Sequence, residues 1–302
     1  MGRDFYEEFA AVRELFAAAD DVLGRALSRI IFEGPEDELT LTANAQPAIL
    51  TVSYAVWLML AEFLPPEAVV AFAGHSLGEY TALVAAGALR FVDAVKLVHM
   101  RGRFMQEAVP VGAGKMSAVI ALSQEKIEEV LARVRADSGP VQLANINSPD
   151  QMVISGSASA VDAAKGSLLG AGAKRVIELK VSAPFHSELM EPAAEKLRPL
   201  LEETDFTLPT AEVYANATAA PYPADVSAFA ALLTQQITSP VRWVEIVKAI
   251  AVRNPQLMLE VGPGQVLRGL ISRIDRALPT AGVGGMEDFK RLLPVLVGEE
   301  GL

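Results

Sequence analysis

The 302-residue chain has no cysteine, so it builds no disulfide framework and offers no thiolate as nucleophile or ligand. Histidine is almost as scarce. Only His75, His99 and His186 occur, too few for a histidine-rich metal site, and no metal is expected. Long apolar runs are also missing: "AVWLMLAEFLPP" from Ala55 is broken by Glu62 and stopped by Pro65 and Pro66, which excludes a membrane-spanning helix here. The first residues, "MGRDFYEEFA", carry mixed charge and no apolar signal region. Positive charge is in deficit, 26 Lys and Arg against 37 Asp and Glu, for a net charge of −11. That field repels nucleic acid and anionic membrane, so neither is expected as a partner, and an acidic protein partner would need a local basic patch. The remainder is ordinary: 51% apolar residues and enough length for one large domain or two modest ones. A cytoplasmic enzyme-sized protein is expected.

Periodicity predicts helices over residues 4–31 and, from the first-turn proline Pro47, over 47–64. "AVVAFA" (68–73) reads as a short strand buried on both faces, followed by a sharp turn, a small-residue helix to Gly87 and a helix over 91–109. Residues 115–181 read as strand, helix, two strands joined by a Ser-Pro-Asp turn, helix and strand. That βαββαβ order is the ferredoxin-like split unit. Beyond it come a helix over 186–203, a strand over 211–217, helices over 225–237 and 240–253, a strand over 256–262 and a helix over 265–278. The expected architecture is α/β: a hydrolase-like core with a parallel sheet over 1–112 and 182–302, and an inserted ferredoxin-like small subdomain over 113–181.

The turn after the first strand holds "GHSLG", with Ser76 between Gly74 and Gly78. A glycine-lined packing turn would satisfy the pattern. So would a nucleophile elbow, which needs strand, sharp turn and helix in that order, presents the hydroxyl at a sheet tip and aims the next N–H, that of Leu77, at a developing oxyanion. A serine hydroxyl needs a base. His75 adjoins Ser76 and should point away from it, and His99 lies in a helix. His186, in "SAPFHS" just past a predicted strand end, is therefore the choice, although a surface histidine at a helix start reads the same way. Arg101 lies on a helix apolar around much of its circumference, where a buried guanidinium needs a partner and its fork matches a carboxylate.

"GHSLGEY" (74–80), "MRGRFMQEAVP" (100–110), "NINSPDQMVISG" (145–156), "VSAPFHSELM" (181–190), "SPVRW" (239–243) and "EVGPG" (260–264) together resemble the malonyl-CoA:acyl carrier protein transacylases, in order and over most of the chain. The resemblance implies transfer of malonyl from malonyl-CoA to the phosphopantetheine thiol of an acyl carrier protein, for fatty acid synthesis. Ser76 would be the acyl acceptor, His186 its base and later acid, Arg101 the seat of the malonyl carboxylate and Leu77 an oxyanion donor. It further implies that the Gln236 backbone carbonyl orients the histidine, that Gln46, His75 and Asn147 line the pocket, and that Phe185 favours malonyl over methylmalonyl. No cofactor is implied. The acidic carrier would dock on Arg268, Arg273 and Arg276, clustered on one predicted helix, or on Lys174 with Arg175.

Members of that family begin with a short strand and a "GQGSQ"-type loop that supplies a second oxyanion N–H. "MGRDFYEEF" resembles the segment immediately after that loop, so the chain is expected to lack one strand and one donor, a loss worth roughly 10²–10³ in rate elsewhere. Two other readings use the same residues: a serine hydrolase or thioesterase with water as acceptor, and an inactive homologue.

Overall fold

The structure, a computed structural model, describes residues 1–296; 297–302, the end of the expected large subdomain, lie outside the described residues. The periodicity over 4–31 produces three helices rather than one: α1 (Arg3–Glu8), α2 (Ala10–Leu23) and α3 (Leu27–Glu33). Extended backbone at Phe9 (φ −108°, ψ 127°) separates the first two, and Gly24 ends the second by donating its N–H to the Asp20 and Asp21 carbonyls. The next elements are α4 (Glu36–Thr40), α5 (Thr42–Ala61), β1 (Ala71–Phe72), α6 (Leu77–Ala85) and α7 (Phe91–Glu107).

α5 starts before Pro47, which sits inside the helix and has no N–H for the Ala43 carbonyl four residues back. His99 supplies that donor from α7, its Nδ1 2.8 Å from Ala43 O. This histidine bolts two core helices together. The same pair of helices meets at Gly102, where a Cβ would fall 2.4 Å from Thr42 O.

The chain then builds β2 (Gly114–Ile120), α8 (Gln124–Ser138), β3 (Val141–Ser148), β4 (Gln151–Ser157), α9 (Ala158–Gly170) and β5 (Arg175–Glu178). These strands form one antiparallel sheet in the order β3-β4-β2-β5, the ferredoxin-like arrangement, with Ala118 facing Val153 on one side and Ile177 on the other. An apolar cluster of its own, including Ile127, Leu131, Ile154, Val161 and Leu168, fills the space between sheet and helices.

The larger part resumes with α10 (Glu191–Glu202), β6 (Glu212–Val213), α11 (Phe229–Thr238), α12 (Trp243–Ala251), β7 (Met258–Val261), α13 (Val266–Ile274), β8 (Thr280–Val283) and α14 (Met286–Leu296). β1 pairs in parallel with β6, and β7 with β8. The fold is α/β. The strands expected over 68–73 and 211–217 shrink to two residues each. The helix expected from Pro240 begins only at Trp243, because Val241 pairs in parallel with Asn145 of β3: its N–H reaches Ala144 O at 2.8 Å and its carbonyl accepts from Ile146 at 2.9 Å. That stitch ties the chain after α11 to the small sheet. The helix expected over 265–278 stops at Ile274, so Arg276 lies beyond it. β8 and α14 were not expected from the sequence pattern. Their segment opens "LPTAGVGG", whose proline and glycines read as loop.

Candidate active site

β1 delivers the chain into a bend whose tightness is visible at Gly74: a Cβ there would lie 2.0 Å from the Gly78 backbone. Only glycine fits, and the bend throws Ser76 into a conformation with φ 53° and ψ −106°. Asn216, just past β6, holds it there. Its Oδ1 accepts from the Ser76 N–H at 2.6 Å and its Nδ2 donates to Gly74 O at 2.7 Å. Leu77 is the first residue of α6, so its N–H is one of the donors a helix leaves open, at the positive end of the helix dipole.

His186 comes to Ser76 from the loop before α10, 110 positions away in sequence, with Nε2 2.8 Å from Ser76 Oγ. Its own backbone is left-handed (φ 56°) and pinned by Ser187 Oγ donating to Pro184 O and by Gln142 Nε2 donating to His186 O. Nδ1 faces the carbonyls of Gln236, at 2.9 Å, and Ser239, at 3.2 Å. Carbonyls only accept, so Nδ1 carries the proton and Nε2 keeps its lone pair for the serine hydroxyl. Burial, reinforced by the charge of Arg101, pushes the imidazole down to about 3, and it stands neutral.

Arg101 is 2% exposed, yet among the described residues it makes no ion pair. Nη1 donates to Gln46 Oε1 at 2.7 Å, and Nη2 donates to Gln236 Oε1 at 2.9 Å and to Ser76 Oγ at 3.0 Å. Nε has no partner among the described residues, and the guanidinium lies over the Tyr80 ring. A buried cation whose partners are all neutral keeps its charge available for an incoming anion. Burial lowers its affinity for the proton, which makes such an anion more welcome still.

The remaining expected residues divide. Gln46 and Gln236 touch Arg101 directly. Gln236 contributes its side chain as well as the carbonyl anticipated for it. His75 turns from Ser76 to Asn147, Nε2 2.8 Å from Oδ1, with its ring against Trp243. Phe185 packs partly buried between the apolar clusters of the two parts of the molecule. Glu79, Asn216 and Tyr222 were not anticipated from the sequence. The signal for Glu79 was a lone acid in the apolar run "LGEYTALVA", and it is fully buried. Of the basic residues proposed for docking, Lys174, Arg175, Arg273 and Arg276 are exposed; Arg273 donates to Gln151 and Arg268 to Gln265. Among the described residues no group of three or more acidic, histidine or cysteine side chains is placed to hold a metal, and no helix is long and apolar enough to cross a membrane.

Comparison with known proteins places the whole chain. A family model described as "Acyl transferase domain" matches residues 1–284. The chain is 44% identical over 302 residues to the malonyl CoA-acyl carrier protein transacylase of Bacillus subtilis strain 168, covering 99% of this chain and 93% of that one. Among solved structures it resembles acyl-carrier-protein-S-malonyltransferase from Bartonella henselae, with TM-score 0.93, 44% identity and coverage of 98% and 94%. A type II polyketide acyl carrier protein in complex with its malonyl-transacylase gives TM-score 0.92 at 40% identity, with coverage of 99% and 95%. Matched by that family model over residues 1–284 and by these relatives over nearly its whole length, this chain belongs to the acyl transferase domain family.

Proposed function

We propose that this chain transfers malonyl from malonyl-CoA to the phosphopantetheine thiol of an acyl carrier protein, through a malonyl ester on Ser76. One observation carries the reading: Ser76 Oγ lies between His186 Nε2 at 2.8 Å and Arg101 Nη2 at 3.0 Å. A nucleophile with a base on one side and an unpaired guanidinium on the other suits an acyl group that ends in a carboxylate. The family and the names of its relatives support the same reaction.

In the first half, Ser76 Oγ attacks the thioester carbon as its proton passes to His186 Nε2. The carbonyl oxygen takes up charge opposite the Leu77 N–H. Collapse breaks the carbon–sulfur bond, and the leaving thiolate takes the proton from His186. In the second half the carrier thiol gives its proton to His186 and attacks the Ser76 ester, and His186 returns the proton to Ser76 Oγ as it leaves. Arg101 receives the malonyl carboxylate at Nε, and at Nη2 in exchange for its hydrogen bond to Ser76 Oγ, while Nη1 stays with Gln46 and Nη2 with Gln236. Acetyl groups leave Nε unpaired and are disfavoured.

The site roles of Leu77, Gln46, His75, Asn147 and Phe185 belong to this reading, as does the division into 1–112 with 182–302 around 113–181, which the separate apolar clusters support. Both reactants are water-soluble, which suits the cytoplasm. Intact mass after incubation with malonyl-CoA tests the reading. One malonyl adduct is expected on the wild-type chain, mapping to Ser76, and none on Ser76→Ala. A folded wild-type chain that gains no mass overturns it.

A further inference from the structure

The carboxylate of Glu79 is wholly buried on α6, three residues after the nucleophile, and takes no part in the reaction just described. Its contacts are complete. Oε1 accepts from the Tyr222 hydroxyl at 2.5 Å; Oε2 accepts from the Asn216 N–H at 2.9 Å and from Gln236 Nε2 at 2.7 Å. Each of the two nitrogen partners leads back to Ser76. Asn216 clasps the bend at Ser76 N and Gly74 O. Gln236 donates its other amide hydrogen to Ser76 O at 2.9 Å and presents Oε1 to Arg101.

An amide side chain can be turned by half a revolution at little cost in shape, exchanging its donor and acceptor. Here that exchange would face the amide NH₂ toward Arg101, donor against donor. A carboxylate only accepts, so it admits only the NH₂ end of Gln236, and that choice forces Oε1 to Arg101. It also leaves one amide, and no direct contact, between anion and cation. Arg101 is held by a neutral oxygen, and its charge remains unspent. We propose that Glu79 is a positioning residue of this site: through the Gln236 amide it keeps the Arg101 guanidinium turned toward the acyl group, and through Asn216 and Gln236 it locks the Ser76 bend.

The inference rests on the malonyl-transfer reading and adds a dependence on charge. A protonated Glu79 can donate only to the Tyr222 hydroxyl, which then loses the only acceptor it has among the described residues. The remaining oxygen accepts from Asn216 and Gln236 as a neutral carbonyl, without the charge that strengthens both bonds, so the relay is strongest in the ionised form. Burial raises the Glu79 carboxyl to about 7, against the pull of its three hydrogen-bond donors and Arg101. The other titratable groups beside it are Tyr80 on the same helix and Tyr222, both with phenols raised by burial, and the Arg101 guanidinium. His186, depressed to about 3, does not titrate in that range.

The test measures the rate of Ser76 malonylation from pH 5 to 9, with a malonyl thioester of N-acetylcysteamine, which has no phosphate to titrate. In wild type the rate should fall about tenfold per pH unit once Glu79 protonates. Glu79→Gln should be slowed at least tenfold at pH 8 and flat from pH 5 to 8. It should also lose malonyl-over-acetyl preference, which general loosening of the fold would not single out. Tyr222→Phe removes one donor to the carboxylate and should move the limb to higher pH, which keeps the question open to refutation should Glu79→Gln not fold. A Glu79→Gln profile with the wild-type limb, or a Tyr222→Phe limb that does not move, overturns the role of Glu79 while leaving malonyl transfer standing. A wild-type chain unlabelled at every pH defeats both.

Discussion

In the proposed reaction Arg101 acts on His186 as well as on the acyl group. Its charge helps burial to keep the imidazole neutral, and its Nη2 touches the hydroxyl the imidazole must deprotonate. When a malonyl carboxylate occupies the guanidinium, that push is neutralised and His186 becomes more basic at the moment a base is needed. Substrate binding and base strength are coupled through one side chain. Arg101→Ala should therefore cut malonyl-CoA loading by roughly 10²–10⁴-fold, since an unpaired buried charge costs about 3–5 kcal/mol and each 1.4 kcal/mol is tenfold. Acetyl-CoA loading should not fall with it, so the ratio of the two rates collapses. Rapid-quench labelling with each thioester measures it, and an unchanged malonyl rate would dismiss the clamp and favour a hydrolase that uses water.

At the scale of elements, the site depends on how closely α7 lies against α5, for α7 carries Arg101 and α5 carries Gln46. The approach is set by Gly102, beside Arg101 in sequence, where a Cβ would meet Thr42 O at 2.4 Å. Backbone does not yield like a flexible side chain, so Gly102→Ala should push the helices apart. Urea unfolding should show a loss of about 1–3 kcal/mol, the usual cost of overfilling a packed interior. Malonyl loading should fall as the contact between Arg101 and Gln46 is strained. The sequence shows such a pairing only in part. Ser76, His186 and Arg101 are legible because each residue type has few uses in its local setting, and the βαββαβ insert is legible because its apolar period switches cleanly between strand and helix. The illegible features depend on partners remote in sequence. Nothing near Val241 announces that it will pair with Asn145 and shorten a helix, and nothing near Pro47 announces that His99 will serve the carbonyl it strands. Glu79 is the clearest case, because its donors lie 137 to 157 positions downstream.

For the whole molecule, the buried site shapes stability against pH in two opposed ways. His186 has a folded value of about 3 against an ordinary 6.5, so between those limits the unfolded chain binds a proton that the native chain refuses. Acidification through that window costs stability, and His75, lowered mainly by burial, adds in the same direction. Glu79 is the reverse, with a folded value of about 7 against an ordinary 4.5. From pH 7 down to 4.5 the native chain takes up a proton that the unfolded chain does not, and stability rises. Over the upper part of the acid range the two effects offset each other; below 4.5 only the histidine cost continues to grow. Glu79→Gln removes the compensating proton uptake, so its stability should fall more steeply than wild type between pH 7 and 5. His186→Gln should fall less steeply between 6.5 and 4. Urea midpoints at half-unit pH steps, with unchanged m-values to certify the same unfolding, measure both slopes. Parallel curves for wild type and Glu79→Gln would mean that the carboxyl carries its charge in the folded chain no differently than in the unfolded one.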